Sequence, residues 1–483
     1  MAQVIPSRSA RKSIFLFGDY GAQPWDHDRV IKESLKAGLQ VVNTKLVSDH
    51  SEAMLAKFHR SRDESAETRE HGQAIEILPD DASAISDDML ARLRERYGEA
   101  CCVLPLSDYV TEYAAAISTK LSRPCFPPRS AEIVKCKHQL RDLWNQLAAQ
   151  PDSGLCAVEY CYLERRSYDD SDFEFHPSAG FDELPENTPL IVKPDELSSS
   201  IEIHFAASKQ EAVALANLIC EQLHSRWYEV GRSIGTEVRP RVVVEKAIQR
   251  SKALHPGAEF SVEYVSFEGQ HYPIGITQKW IASNFIETGQ LFPAESFPEH
   301  LRPSLETAIQ QLLDQLAVGY CVSHWEFIVT PEERIALVEG HLRPAGGRIM
   351  ELVEYSTTRS PTAALCEALS QQNVDFSFAP RNSCGIFWLI PETPLTNVTE
   401  VTVNRDVTGA LSKDLYVNEE GIKATPGWSQ ANDWLTRLAH VMTTGDNLDD
   451  VLSRSREVGR NVILSGQQND SFTSTLLKLA IDQ

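Results

Sequence analysis

Over the first 125 residues, short apolar runs alternate with amphipathic stretches. Residues 13–17 read as a buried strand, 18–21 as a turn, 29–37 as an amphipathic helix stopped by Gly38, and 39–43 as a second strand. Residues 52–76 are polar, dense in Arg, Glu and Ser, and read as exposed helix or loop. Residues 100–104 form a further buried strand, followed by Leu106-Ser107-Asp108-Tyr109 and a helix through Lys120. Strands alternating with helices predict a parallel α/β sheet. The turn's Gly18-Asp19-Tyr20-Gly21 lacks the acidic residue that completes a dinucleotide fingerprint, so it assigns no cofactor.

From about residue 128 one helix is expected to carry Lys135, Lys137 and Arg141, and residues 151–186 are polar and acidic. The texture changes at Pro189. Strand-like runs at 190–193, 241–244 and 260–267 follow, with a helix over 209–223 between the first two. An apolar segment at 274–280, a helix at 305–316 and a strand pair at 324–329 and 335–339 come next. Beyond residue 370 the pattern is short strands (385–389, 401–403, 415–417) and a last helix near 448–460, with no internal repeat.

At 483 residues the chain holds roughly three domains or subdomains, taking about 100–200 residues for each. Lys+Arg 46 against Asp+Glu 68 gives a net charge of −22, which repels phosphate backbones and anionic lipid. Neither nucleic acid nor a membrane is an expected partner. No stretch approaches the roughly 18 apolar residues of a membrane helix, and the apolar run at 14–17 is too short for a signal peptide. A cytoplasmic protein is expected. Its ten cysteines show no C-x-x-C or zinc spacing and read as small buried hydrophobes.

Three features carry candidate chemistry. Lys193 ends a buried strand and precedes Asp195-Glu196-Leu197-Ser198-Ser199-Ser200, where a lysine and small residues suit phosphate oxygens. Residues 242–248 form an apolar strand running into a charged connector, a hinge whose backbone could meet an adenine edge. Glu326 and Glu339 lie on consecutive strands joined by a turn with Pro331, Glu332, Glu333 and Arg334. On that hairpin they face each other, and alternation puts Glu339, His341 and Arg343 on one face. Two opposed carboxylates in an apolar hairpin repel unless a divalent cation sits between them, and oxygen ligands with phosphate suit Mg²⁺.

This order resembles the ATP-grasp carboxylate–amine ligases, and within them the bacterial L-amino acid (dipeptide) ligases. Lys137 and Arg141 match a K-x-x-x-R helix, Glu259-Phe260-Ser261-Val262-Glu263 an E-x-S-V-E strand, Thr277-Gln278-Lys279 a T-x-K, and Phe285-Ile286-Glu287-Thr288-Gly289 an F-x-E-x-G. The resemblance implies an α/β and α+β chain: a pre-ATP-grasp α/β domain at 1–125, an ATP-grasp N-terminal subdomain at 126–205 and a lid subdomain at 206–270. A core with a C-terminal extension would fill 271–483. It implies that Lys137, Lys193, Ser199 and Ser200 hold ATP phosphates, that Glu245, Lys246, Ala247 and Ile248 frame adenine, and that Glu263 lies near the ribose. Glu326, Glu339 and His341 would bind Mg²⁺, with Mn²⁺ as a substitute. Arg343 and Lys279 would be catalytic, Glu287 would take a substrate ammonium, and Gln290, Arg343, Gly346 and Gly347 would line the substrate pocket.

Three positions depart from the family pattern: His341 replaces the usual Asn, serines replace glycines at 198–200, and Gln290 replaces His. The implied activity activates an amino-acid carboxylate as an acyl phosphate and joins it to an amine, releasing ADP and phosphate. The alternatives are loading of an amino acid onto a carrier protein or larger intermediate, and a non-catalytic ATP-binding module. Expected partners are amino acids or other small carboxylic acids, and relatives imply a homodimer. Gly346 and Gly347, lacking side chains, are expected to leave room for a bulky substrate group.

Overall fold

A computed structural model describes residues 12–17, 24–46, 74–79, 81–121, 125–167, 170, 172–197, 202–223, 239–254, 258–283, 285–370, 374–429, 437–468 and 471–482. Its first sheet is built from β1 (Lys12–Phe17), β2 (Gln40–Leu46), β3 (Ala74–Leu78) and β4 (Glu99–Pro105). The order is β3-β2-β1-β4 and every pair is parallel, as the alternation predicts. Helix α1 (Pro24–Lys36) covers one face; α2 (Asp87–Tyr97) and α3 (Thr111–Lys120) cover the other. Successive β1 side chains divide between the two faces. Ile14 and Leu16 pack with Val30 and Ile31, and Phe15 and Phe17 with Leu90, Leu93 and Val110. A strand buried on both faces reads as an unbroken apolar run. Exposed helix or loop was expected through residue 76, yet β3 forms there, because pairing with β2 in register supplies what its short segment lacks.

The single helix expected from residue 128 is two helices. α4 (Pro128–Lys135) and α5 (Lys137–Ala148) are parted at Cys136, whose φ of −84° and ψ of 103° are extended. The break lets the Lys137 amide donate to the Asp195 carbonyl at 3.1 Å. The polar stretch at 151–186 hides two strands, β5 (Tyr160–Glu164) and β6 (Glu174–Pro177). With β7 (Leu190–Pro194), β8 (His204–Ala206) and β9 (Arg241–Lys246) they make an antiparallel sheet of order β6-β5-β9-β7-β8, and α6 (Lys209–Gln222) packs on β7, β8 and β9. This sheet runs through the boundary expected at 205. The one expected at 270 falls inside the hairpin of β10 (Glu259–Phe267) and β11 (Gln270–Ile281).

The largest sheet begins β14 (Ile335–His341), β13 (Cys321–Val329), β10, β11, β12 (Glu287–Phe292), β15 (Ser383–Pro391). Helix α7 (Arg302–Gln315) buries Leu305, Ile309, Leu312 and Leu313 against the same core as Phe260, Trp325 and Phe327. α8 (Ile349–Thr357) and α9 (Pro361–Ser370) lie toward the first domain. Arg29 of α1 meets Glu351 of α8 at 2.5 Å, and Lys12 donates to the Leu369 carbonyl at 2.9 Å. Past residue 391 the sheet adds β16 (Asn397–Val403), β17 (Asp414–Val417) and β18 (Ala439–Gly445), then α12 follows α10 (Arg405–Leu411) and α11 (Glu419–Ala424), spanning Leu448–Arg460. That helix was expected to be the last element, but β19 (Val462–Gln468) and β20 (Ser471–Leu479) follow it. Their half-exposed polar residues masked the strand pattern. Nine of the ten cysteines are buried, and among the described residues no helix is long and apolar enough to cross a membrane.

Gly340 stands opposite Trp325 in the β13–β14 pairing, and a Cβ there would lie 2.4 Å from the indole ring. Gly340→Ala should therefore destabilise the fold by about 1–3 kcal/mol through overpacking, read as a lower urea midpoint at unchanged slope.

Candidate active site

Antiparallel pairing of β13 and β14 sets Glu326 opposite Glu339 and His324 opposite His341. Directly opposed side chains start from Cβ atoms about 4.5–5.5 Å apart, so the two carboxylates repel. Cationic groups answer that charge. Lys279 of β11 bonds Glu326, and His324 Nε2 lies 2.8 Å from the same oxygen. Lys137 Nζ is 4.0 Å from Glu339, and His341 Nε2 is 3.4 Å from its other oxygen. Burial acts to raise both carboxyl groups, but Lys279 and His324 hold Glu326 well below the usual range, and His341 lowers Glu339. Lys279 is itself raised: burial opposes its charge, and Glu326 and Glu287 outweigh burial.

A second cluster lies behind β14. Glu245, 3% exposed, accepts from Lys193 at 2.7 Å and from Arg141 Nε and Nη2 at 2.9 and 2.8 Å. Arg141 also donates to the Leu337 carbonyl, tying α5 and β9 to the strand that carries Glu339. Burial lowers Lys193 against the opposing pull of Glu245. The Lys246 and Ala247 amides donate to the Glu159 and Pro189 carbonyls at 2.9 Å each, so neither amide is the free adenine donor the hinge reading suggests. Lys137 bonds the Leu197 carbonyl at the stem of the serine loop. Ser199 and Ser200 lie outside the described residues.

Asp108 was read only as part of the loop before a helix. It sits just past β4 and reaches the core: His341 Nδ1 lies 2.8 Å from Oδ1, and Arg343 Nη2 donates to Oδ2 at 2.6 Å. Burial acts to lower His341, yet Asp108 and Glu339 raise it to about 9. Nδ1 of His341 is committed to Asp108, and Nε2 is the nitrogen that faces Glu339. The signal for Asp108 was available, since open parallel sheets bind ligands beyond the carboxyl ends of their strands.

Glu263 also differs from expectation. It is 0% exposed and bonded by Ser261 Oγ (2.8 Å), Thr277 Oγ1 (3.2 Å) and His324 Nδ1 (2.8 Å), so it holds His324 and cannot reach a ribose. Glu287 bonds Gln290, lies 3.2 Å from Lys279 and 3.9 Å from Arg437, a residue the sequence reading missed. Gly347 has φ +62°, and a Cβ on it would lie 2.4 Å from Gln290 Nε2; Gly346 would meet nothing within 4 Å. The open position is therefore Gly346, not the pair. A recess lies on the Glu339 side of the site, lined by Asp108, Lys135, Lys137, Glu196, Glu339 and His341 among others.

Glu245 is brought down to about 2, because Arg141 and Lys193 outweigh the burial that would raise it. Its stabilising effect is complete above the ordinary carboxylate pKa and is lost as pH falls toward 2. Glu245→Gln leaves two cations buried without their partner and should cost about 3–5 kcal/mol at neutral pH. In urea unfolding between pH 7 and 2.5, the gap between variant and wild type should shrink at acid pH.

A family model described as an ATP-grasp domain matches residues 186–351. Alanine–anticapsin ligase of Bacillus subtilis (strain 168) is 24% identical over 223 residues, 45% of this chain and 43% of that protein. The match thus spans less than half the length of that relative. Among solved structures, L-amino acid ligase from Bacillus licheniformis superposes with a TM-score of 0.64 at 14% identity, over 96% of this chain and 100% of that one. The biotin carboxylase domain of Hydrogenobacter thermophilus 2-oxoglutarate carboxylase, solved with MgADP and bicarbonate, gives a TM-score of 0.58 at 12% identity over 97% and 92%. Residues 186–351 thus match an ATP-grasp domain, and the chain as a whole shares the fold of these solved structures.

Proposed function

We propose that the chain is an ATP-dependent carboxylate–amine ligase that activates an amino-acid carboxylate as an acyl phosphate, then forms an amide and releases ADP and phosphate. The observation that carries this reading is the joining of Lys193, Glu245, Arg141, Lys137, the Glu326–Glu339 pair, Asp108 and Arg343 into one charged site. The similarity to alanine–anticapsin ligase supports an amino acid as substrate.

The paired carboxylates fit a hard divalent cation. They are oxygen donors opposed in register, 15% and 21% exposed, and the structure already gathers cations around them. Glu326 and Glu339 would hold Mg²⁺, which supplies charge neutralisation at phosphate oxygens when bound. Lys193, paired with Glu245, and Lys137, beside Glu339, would offer donors to phosphate oxygens. A carboxylate is a poor electrophile; its oxygen attacks the terminal phosphorus of ATP, the β,γ-bridging P–O bond breaks to release ADP, and the resulting mixed anhydride carries phosphate as a good leaving group. The amine then attacks the carbonyl carbon, the C–O bond to phosphate breaks, and the amine proton leaves to solvent or base. Asp108 fixes one nitrogen of Arg343, so that guanidinium is pre-oriented for oxyanion charge as the tetrahedral intermediate forms. Glu287, paired with Lys279, and Gln290 face Gly347, next to the open position at Gly346 where a substrate amino group or side chain would lie.

With Mg·ATP and pairs of amino acids, the protein should release ADP and phosphate and yield a product of their summed mass minus water. ADP release only on adding a carrier protein would move the reading to carrier loading. ATP binding without ADP release across the screen would contradict the ligase reading. Arg343→Ala should lower kcat by about 10²–10³-fold, the range for loss of one oxyanion donor, in a variant that remains folded by circular dichroism. Gly346→Trp should remove activity on bulky acids while sparing small ones. Unchanged selectivity would count against a pocket there.

A further inference from the structure

Two histidines stand in register behind the paired glutamates. His324 Nε2 is 2.8 Å from Glu326, and its Nδ1 is 2.8 Å from Glu263. His341 Nε2 is 3.4 Å from Glu339, and its Nδ1 is 2.8 Å from Asp108. The two rings stack at 5.7 Å with planes 16° apart. Each glutamate of the pair therefore has its own imidazole, and each imidazole is anchored at its far nitrogen by a second carboxylate.

The terminal torsion of a glutamate is broad, so a carboxylate facing its like on the next strand has no fixed orientation of its own. An imidazole anchored at one nitrogen sets that orientation through the other, as second-shell carboxylates do for metal-site histidines. The two anchors differ. Glu263 lies within the sheet, where Ser261 pairs with Glu326 and Glu263 with His324, and Ser261 and Thr277 saturate the Glu263 carboxylate. Asp108 instead comes from the first domain and also holds Arg343. One glutamate is thereby fixed by the sheet alone, the other by docking of the N-terminal domain.

We propose that His324 and His341 are positioning residues, each locking one glutamate of the pair to a carboxylate outside the site so that both present oxygens to one divalent cation. This rests on the reading of Glu326 and Glu339 as the cation's ligands. Asp108 then couples the metal position, the Arg343 guanidinium and the seating of the first domain in a single contact.

The test is Mn²⁺ binding to the full-length protein with a non-hydrolysable ATP analogue, followed by electron paramagnetic resonance. Wild type should bind Mn²⁺, and Glu326→Gln should abolish that binding; failure of either overturns the ligand reading and the proposal with it. If both hold, His324→Gln, Glu263→Gln and Asp108→Asn should each weaken Mn²⁺ by about 10–100-fold, the usual range for second-shell loss. Each variant removes a buried partner and should lower the melting temperature, but metal-free nucleotide affinity should stay at the wild-type value while Mn²⁺ weakens, and saturating Mg²⁺ should restore ADP release in the two sheet variants. Wild-type Mn²⁺ affinity in folded variants would overturn the proposal. So would variants whose only defect is a lower melting temperature. Asp108→Asn, at the domain junction, keeps the test available if the two buried variants do not fold.

Discussion

Opposition of Glu326 and Glu339 across β13 and β14 is the constraint on which the rest of the site depends. Two like charges about 4 Å apart cost roughly 4 kcal/mol at an effective dielectric of 20. A hairpin flanked by Phe327 and Leu337 does not relieve that cost with water. The fold answers with Lys279 and His324 beside one carboxylate, and with Lys137 and His341 beside the other. Each of these has a second partner in turn: Glu287, Glu263, the Leu197 carbonyl and Asp108. The result is a mostly buried network of alternating charges around the two carboxylates.

That network explains why three regions must dock. Arg141 joins β9 to β14, Asp108 brings the first parallel sheet to the same strand, and the segment beyond residue 391 supports the glycine loop from behind. The loop ends at Arg348, in the left-handed region at φ +65°. Its guanidinium is held by Glu351 and Asp414 and by His440 Nε2 at 2.8 Å. A non-glycine residue in that region needs such over-determination. The C-terminal segment therefore fixes the end of the glycine loop at Arg348, in addition to extending the sheet.

Much of this was legible in the sequence where the physics is local. Unbroken apolar runs marked β1, β4 and β7, and the two charged residues inside an apolar hairpin marked Glu326 and Glu339. What escaped depends on pairing at a distance. β3, β5 and β6 are short or polar and exist because neighbours complete their hydrogen bonds. Asp108 and His341 lie 233 positions apart, so neither spacing nor periodicity links them. Glu263 was expected near a ribose from its place in a motif, and its burial among Ser261, Thr277 and His324 makes it a support instead. His324 shared a strand face with Glu326, and two-residue alternation alone would have flagged it.

Activation through an acyl phosphate requires that one oxygen of the acid substrate leave with phosphate. Carrying out the reaction with an ¹⁸O-carboxylate amino acid and weighing the released phosphate tests it directly. An acyl phosphate intermediate transfers one ¹⁸O to each phosphate formed and leaves ADP as the nucleotide product. Unlabelled phosphate, or AMP with pyrophosphate, would contradict the account.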